Sequence, residues 1–175
     1  LLAPLLLASA TLLAPLGVAA QSKDDTLVYA VQSDIETYDM HNHILREGIV
    51  IGYHIFDNLV ARDLKTRKIV PHLATSWKVI GERNWEFKLR KDVKFHNGDP
   101  FTAHTVKFNF DRVLNPENKL PQRGNHAAII SVEALDDSTV RFKTKDPYPL
   151  MLERLTQLQM LSERVVKEKG NEWIA

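Results

Sequence analysis

At 175 residues the chain is long enough for one ordinary domain, and 44% hydrophobic with 26% charged residues is the balance of a soluble globular protein rather than a disordered one. Lys plus Arg (23) nearly cancel Asp plus Glu (22), leaving a formal charge of +1, so no basic excess or polybasic run points to nucleic acid or to a membrane surface. Cysteine is absent, which excludes disulfides, thiolate catalysis and Cys-ligated metal, and neither a P-loop nor a G-x-G-x-x-G run is present to hold a nucleotide.

The first stretch, Leu1 to Ala20, is apolar and uncharged and ends in Val18-Ala19-Ala20 before Gln21, the small residues of a signal-peptidase site. It predicts a cleavable secretory signal cut after Ala20. A transmembrane helix is the competing reading, but Pro4 and Pro15 interrupt the run. No initiator Met or basic segment precedes Leu1, which predicts an incomplete N-terminus, and the missing Cys after the apolar run predicts a free protein rather than a lipoprotein.

Thr26 to Ser33 alternates as a strand, and the polar SDIETYDMHNH that follows reads as a loop. Ile49, Tyr53, Phe56 and Val60 recur at helical spacing and predict a helix with that face inward, passing into a short strand near Leu59 to Arg62 and a turn at LKTRK. PHLATSW then leads into a strand from Ser76 to Ile80, and GERN supplies turn residues. Trp85, Phe87 and Leu89 alternate with Glu86, Lys88 and Arg90, the period-2 pattern of a sheet with one wet side, so Trp85 and Phe87 are expected in the core. After Val93-Lys94-Phe95, Asn97-Gly98 predicts a tight turn. Thr102 is placed to cap a helix that turns Ala103, Val106, Phe110 and Val113 inward and ends at Asn115-Pro116.

ENKLPQRGNH reads as a polar loop. Ile130, Val132 and Ala134 begin a strand, Asp136-Asp137-Ser138 turns it, and Val140 and Phe142 carry the return. DPYP is an extended linker. Leu152, Leu155 and Leu158 predict one helix, and Ser162 is placed to cap a last one through Lys169.

The run P-x-L-A-x-S-W, followed by W-x-F-x-L-R-x-x-V-K-F-x-N-G-x-P-F-T-A-x-x-V-x-F, resembles the signature region of the family 5 extracellular solute-binding proteins, the receptors for peptides, nickel and related solutes that serve ABC importers. FDNLVARD before it resembles that family's approach to the signature. His104 and Thr105 depart from the pattern, which has acidic residues in the first turn after the Thr; at most about 1 kcal/mol of helix-end stabilisation is at stake there.

The resemblance implies a mixed α/β fold, the N-terminal part of a two-lobed periplasmic binding protein. It divides into a signal at 1–20, the first strand and cleft loop of the larger lobe at 21–44, a signature subdomain at 45–145, and a linker with helices returning to the larger lobe at 146–175. Family members continue into a second lobe, so the chain is expected to be a fragment. The implied function is capture of a peptide or peptide-like solute in the periplasm for ABC transporter permease subunits, by a monomer that uses no cofactor and catalyses no reaction. Cleft residues would be Gln32, Ser33, Asp34 and Tyr38, then Arg123, Gly124, Asn125 and His126, then Gln157 and Gln159.

Three other readings are weaker. His41-x-His43 could begin a metal site, but no third ligand is identified and both read as surface histidines. Ser33, His41 and Asp34 could compose the catalytic set of a secreted hydrolase, although no strained-turn motif frames the serine. The same receptor fold could take a metal chelate or a sugar. The nickel-binding branch carries an Arg near the position of Gln159 and a Trp near that of His126, and neither is here.

Overall fold

The strand that carries Trp85 and Phe87 is one of the two central strands of a four-stranded antiparallel sheet in the computed structural model, which describes Ala30 and residues 37–169. The expected signal segment and all but one residue of the expected first strand lie outside the described residues. Residues 37–169 fall within one compact unit, and the architecture below is that unit's. None of its helices is long and apolar enough to cross a membrane.

The elements run as helix α1 (Arg46–Ile55), strands β1 (Val60–Arg62), β2 (Ile69–Pro71), β3 (Ala74–Ile80) and β4 (Asn84–Leu89), helices α2 (Ala103–Leu114) and α3 (Arg123–His126), strands β5 (Ile129–Asp136) and β6 (Thr139–Thr144), then helices α4 (Met151–Leu155) and α5 (Glu163–Lys169). β1 and β2 form a small hairpin of their own, and the larger sheet has the order β3-β4-β6-β5. The mixed α/β class expected from the sequence is what is found.

One face of the sheet is apolar and packs against α2. Across it, Trp77, Phe87, Val140 and Ala134 stand in one row and Val79, Trp85, Phe142 and Val132 in the next. Phe142 meets Phe87 edge to face at 5.4 Å and Phe110 of α2 at 4.8 Å, the geometry that sets a positive ring edge against a negative ring face. Ala103, Val106, Phe110 and Val113 are all fully buried, as their spacing predicts. The opposite face carries a charge ladder one residue deep across all four strands: Lys78, Glu86, Arg141 and Glu133 stand side by side. Glu86 pairs with Lys78 and Arg141, each at 3.1 Å, and these hydrogen bonds, that of Lys78 foremost, hold its carboxyl below the usual range.

Several expectations are corrected. α1 does not bury Ile49, Tyr53, Phe56 and Val60 as one stripe; it stops at Ile55, Tyr53 is half exposed, and the buried positions are Gly48 and Gly52. The helix meets its neighbours so closely that only a missing side chain fits. Ile130 points outward because a bulge between Ile129 and Ser131 shifts the register, putting Ile129 and Val132 inside. ENKLPQRGNH is not a polar loop throughout but a 3-10 turn at Pro116–Asn118 followed by α3. The helix expected over Leu152 to Leu158 ends at Leu155, and Leu158 is buried beyond its end. Thr102 occupies the cap position without a side-chain cap bond; the Ala103 N–H donates instead to the Asp137 carbonyl at the β5-β6 turn, 2.9 Å away. Ser162 does reach into the first turn of α5, its Oγ accepting from Val165 N at 3.4 Å.

Candidate functional site

The expected cleft loop is held from beneath by a network of buried polar groups. Within the loop, Asp39 N donates to Thr37 Oγ1 at 3.0 Å and His41 N donates to Asp39 Oδ1 at 3.1 Å, so Asp39 folds the backbone over its own carboxylate. That carboxylate then meets Arg112 of α2 in a two-pronged pair, Nη1 at 3.0 Å and Nη2 at 2.5 Å, with both side chains nearly sealed from solvent. The same Nη1 donates to His41 Nδ1 at 2.8 Å. Nδ1 must therefore offer its lone pair, which puts the ring proton on Nε2, where it is donated to the Gln159 carbonyl at 3.0 Å. Burial first, and the Arg112 charge second, lower the His41 pKa from 6.5 to about 4, so the ring is neutral at ordinary pH.

The network continues toward α3. Gln122 Nε2 donates to the His43 carbonyl at 2.8 Å, and Asn125 Nδ2 donates to Gln122 Oε1 at 3.0 Å. His126 lies 3.0 Å from the Gln122 carbonyl through Nδ1 and 3.2 Å from the Arg154 carbonyl through Nε2, with its ring edge-on to Phe110. Burial outweighs those two carbonyls and keeps its pKa below the ordinary value.

The expected cleft residues accordingly separate. Gln32, Ser33 and Asp34 lie outside the described residues. Tyr38 is 52% exposed, Arg123 and Gly124 are exposed, and Asn125 and Gln157 are partly so. His126 and Gln159 are not on the surface as expected: both are buried, His126 with its ring nitrogens at backbone carbonyls and Gln159 with its backbone carbonyl bonded by His41. His41 and His43 are corrected too, since both are buried rather than on the surface; His43 Nε2 lies 2.6 Å from the Thr37 carbonyl. Among the described residues no three His, Cys, Asp or Glu side chains converge on a point.

Asp39, Arg112 and Gln122 were missed by the sequence reading. One signal was available: Asn109 and Arg112 lie three apart on α2, beside the apolar stripe rather than opposite it, where a polar side chain is carried into the interior.

Beside Tyr38 the described residues enclose an open cleft of about 500 Å³, lined by Phe56, Phe95, Phe101, Met160 and Val166 with Asn97 and Ser162 among its polar groups. The Asn97-Gly98 turn forms part of its wall, Gly98 at φ 85°. Asp99 ties that turn to α5, accepting from Ser162 Oγ at 2.8 Å, Asn97 Nδ2 at 2.7 Å and Arg164 Nε at 2.9 Å. The arrangement offers apolar surface, amides and a phenol for binding.

The family model for bacterial extracellular solute-binding proteins, family 5 Middle, matches residues 68–174. A putative ABC transporter peptide-binding protein of Brucella ovis is 37% identical over 121 residues, which are 69% of this chain and 23% of that one. The periplasmic oligopeptide-binding protein OppA of Haemophilus influenzae is 28% identical over 162 residues, covering 79% of this chain and 29% of that one. Among solved structures, MoaA of A. tumefaciens R10 in complex with mannopinic acid superposes with a TM-score of 0.72 at 29% identity, over 81% of this chain and 30% of that one. The chain thus spans about a quarter of the length of the curated relatives it matches.

Proposed function

We propose that this chain, which belongs to the family 5 bacterial extracellular solute-binding proteins, works in the periplasm to capture a peptide or peptide-like solute and deliver it to ABC transporter permease subunits, without catalysing a reaction. The observation that supports the reading beyond membership is the buried network itself: Asp39, next to Tyr38, is held by Arg112, Gln122 holds the His43 carbonyl and accepts from Asn125, and Gln157 accepts from Arg154. Polar and aromatic groups are thereby held on a supported surface, as a reusable binding face requires. Gln32, Ser33 and Asp34 precede Tyr38 in the chain and complete the proposed contact set. His126 and Gln159 belong beneath it.

Peptide is the preferred solute class because both curated relatives are named for peptide binding. A non-peptide solute is the second reading, favoured by the likeness to a protein solved with mannopinic acid. The hydrolase reading lacks its base: His41 is buried and both ring nitrogens are committed, Nδ1 to Arg112 and Nε2 to Gln159.

The test is mass spectrometry of small molecules released by mild denaturation from the full-length protein purified from periplasm, followed by thermal-shift titration with each candidate. Released peptides that raise the midpoint support the reading. Sugars or opine-like acids that do so in their place would replace it with the second.

A further inference from the structure

We propose that Arg112 is a positioning residue for the solute-facing loop, its guanidinium fixing where Tyr38 stands by gripping Asp39 and His41 on either side of Met40. The proposal rests on the reading of that loop as a solute contact, and it concerns how the loop is held rather than what it holds.

Three observations converge on it. The first is rigidity at the source: Arg112 projects from α2 between Phe110 and Val113, which are fully buried against the sheet, so its Cα cannot drift. The second is the fork itself. A guanidinium delivers donors in a fixed plane, and here both prongs reach Asp39 while one also reaches His41 Nδ1, constraining distance and angle together. The third is what the gripped residues do next. Asp39 is bonded to Thr37 and to the His41 backbone, and His41 passes the constraint to the Gln159 carbonyl, so Tyr38 sits in a short arch with both ends pinned. Tyr38 is itself 52% exposed and lines the apolar cleft, so a shift of the arch is a shift of the cleft wall.

A purely structural role would make the pair a prop for the core. Its geometry is poorly suited to that, because α2 meets the sheet through Val106, Phe110 and Val113 while the Arg112 guanidinium reaches Asp39 and His41 in the loop. A buried ion pair is moreover weak support for global stability, since desolvation of both charges offsets much of their attraction. Its stronger effect is on which conformation the loop adopts.

The experiment uses the full-length protein with 3-fluorotyrosine in place of tyrosine, the Tyr38 fluorine signal being assigned by loss in Tyr38→Phe. The key variant is the double change Asp39→Asn with Arg112→Gln, which removes both buried charges and leaves polar amides. Arg112→Lys is the conservative companion, keeping the charge and losing the fork. Without any solute, the Tyr38 signal is expected to shift or broaden in the double variant, less so in Arg112→Lys, while the other tyrosine signals hold and the unfolding midpoint stays near that of the parent. A Tyr38 signal unchanged in the double variant overturns the proposal, as does one that moves only together with every other tyrosine. Tetra-alanine serves as the binding probe, with an expected loss of about tenfold in affinity, corresponding to about 1.4 kcal/mol. If tetra-alanine binds parent and double variant equally, Arg112 does not act on the solute face. If the parent fails to bind it while the solute-free Tyr38 signal still moves, the peptide reading is damaged and the positioning role stands.

Discussion

A Cβ placed on Gly48 would come within 2.5 Å of His43 Nδ1, closer than any real side-chain carbon approaches a ring nitrogen. The buried face of α1 is thus a pair of glycines over which the arch of residues 37–43 lies, and at Gly52 the obstructing atom is Met40 Sδ. Gly48→Ala sets two effects against each other. Alanine favours a helix over glycine by about 1 kcal/mol, but the His43 ring would have to leave its place and its 2.6 Å approach to the Thr37 carbonyl. Overpacking costs about 1–3 kcal/mol, so the net effect is expected to be destabilising. Urea unfolding of the full-length protein measures it, and a stabilised Gly48→Ala would show that the arch yields easily.

Asn109 is expected to be a costly position. Its Nδ2 donates to the Thr105 carbonyl at 2.8 Å and the Leu161 carbonyl at 2.9 Å, and its Oδ1 accepts from Leu161 N at 2.8 Å. One fully buried side chain therefore satisfies both backbone groups of Leu161 and clamps α2 to the segment before α5. Asn109→Ala would orphan both and cost about 2–4 kcal/mol. Asn109→Asp would cost at least as much, since a carboxylate would face two carbonyl oxygens. Equilibrium unfolding and amide exchange at Leu161 check this; fast Leu161 exchange already in the parent would contradict it.

Acid is expected to weaken the fold before the carboxylates titrate. His41 must be neutral to accept from Arg112, and its pKa of about 4 in the folded chain lies below the ordinary 6.5. Between those values the unfolded chain carries the extra proton, so stability is full above 6.5 and is lost as pH falls through the window toward 4. The separation is worth roughly 3 kcal/mol, and His126, lowered by burial, acts in the same direction. Ring-proton NMR should find His41 titrating near 4; a midpoint near 6.5 would mean that the ring is neither buried nor bonded to Arg112 as described.

Within the signature hairpin, Phe87 and Trp85 are expected to differ. Phe87 is fully buried among Trp77, Trp85 and Phe142, whereas Trp85 is only partly covered and stacks on Phe87 with centroids 6.4 Å apart. Phe87→Ala should cost about 3–5 kcal/mol, and Trp85→Ala about half as much. Equal losses on denaturant titration would mean that Trp85 is a full core member, as its alternation alone suggests.

The parts legible in the sequence were those that repeat with the period of their own backbone. Trp85-Phe87-Leu89 and Ala103-Val106-Phe110-Val113 each declare an inward face by spacing, and the turns at Asn97-Gly98 and Asp136-Asp137-Ser138 declare themselves by residue type. The parts that were not legible depend on partners far along the chain. Nothing near Arg112 reveals that Asp39 will reach it from 73 positions away. Gly48 and Gly52 were overlooked because an inward face made of absent side chains produces no apolar signal, and Ile130 was misplaced because the bulge between Ile129 and Ser131 breaks the alternation that Val132 and Ala134 keep. His126 was expected at the surface because the segment that buries it, a short helix, has a composition that reads as a turn.

The row of Lys78, Glu86, Arg141 and Glu133 on the outer face has a bearing on how the strands find one another during folding. Sliding β4 by two residues against either neighbour keeps every large apolar side chain on the core face, so hydrophobic alternation alone does not detect the error. The charges do. Moved two residues one way, Lys88 comes to lie opposite Arg141 on β6 or opposite Lys78 on β3; moved the other way, Glu86 loses Arg141 for Thr139 or Lys78 for Ser76. Each wrong alignment thus meets repulsion or a lost partner on the side facing water, and the ladder acts as a vernier scale on which only one setting of the sheet reads true.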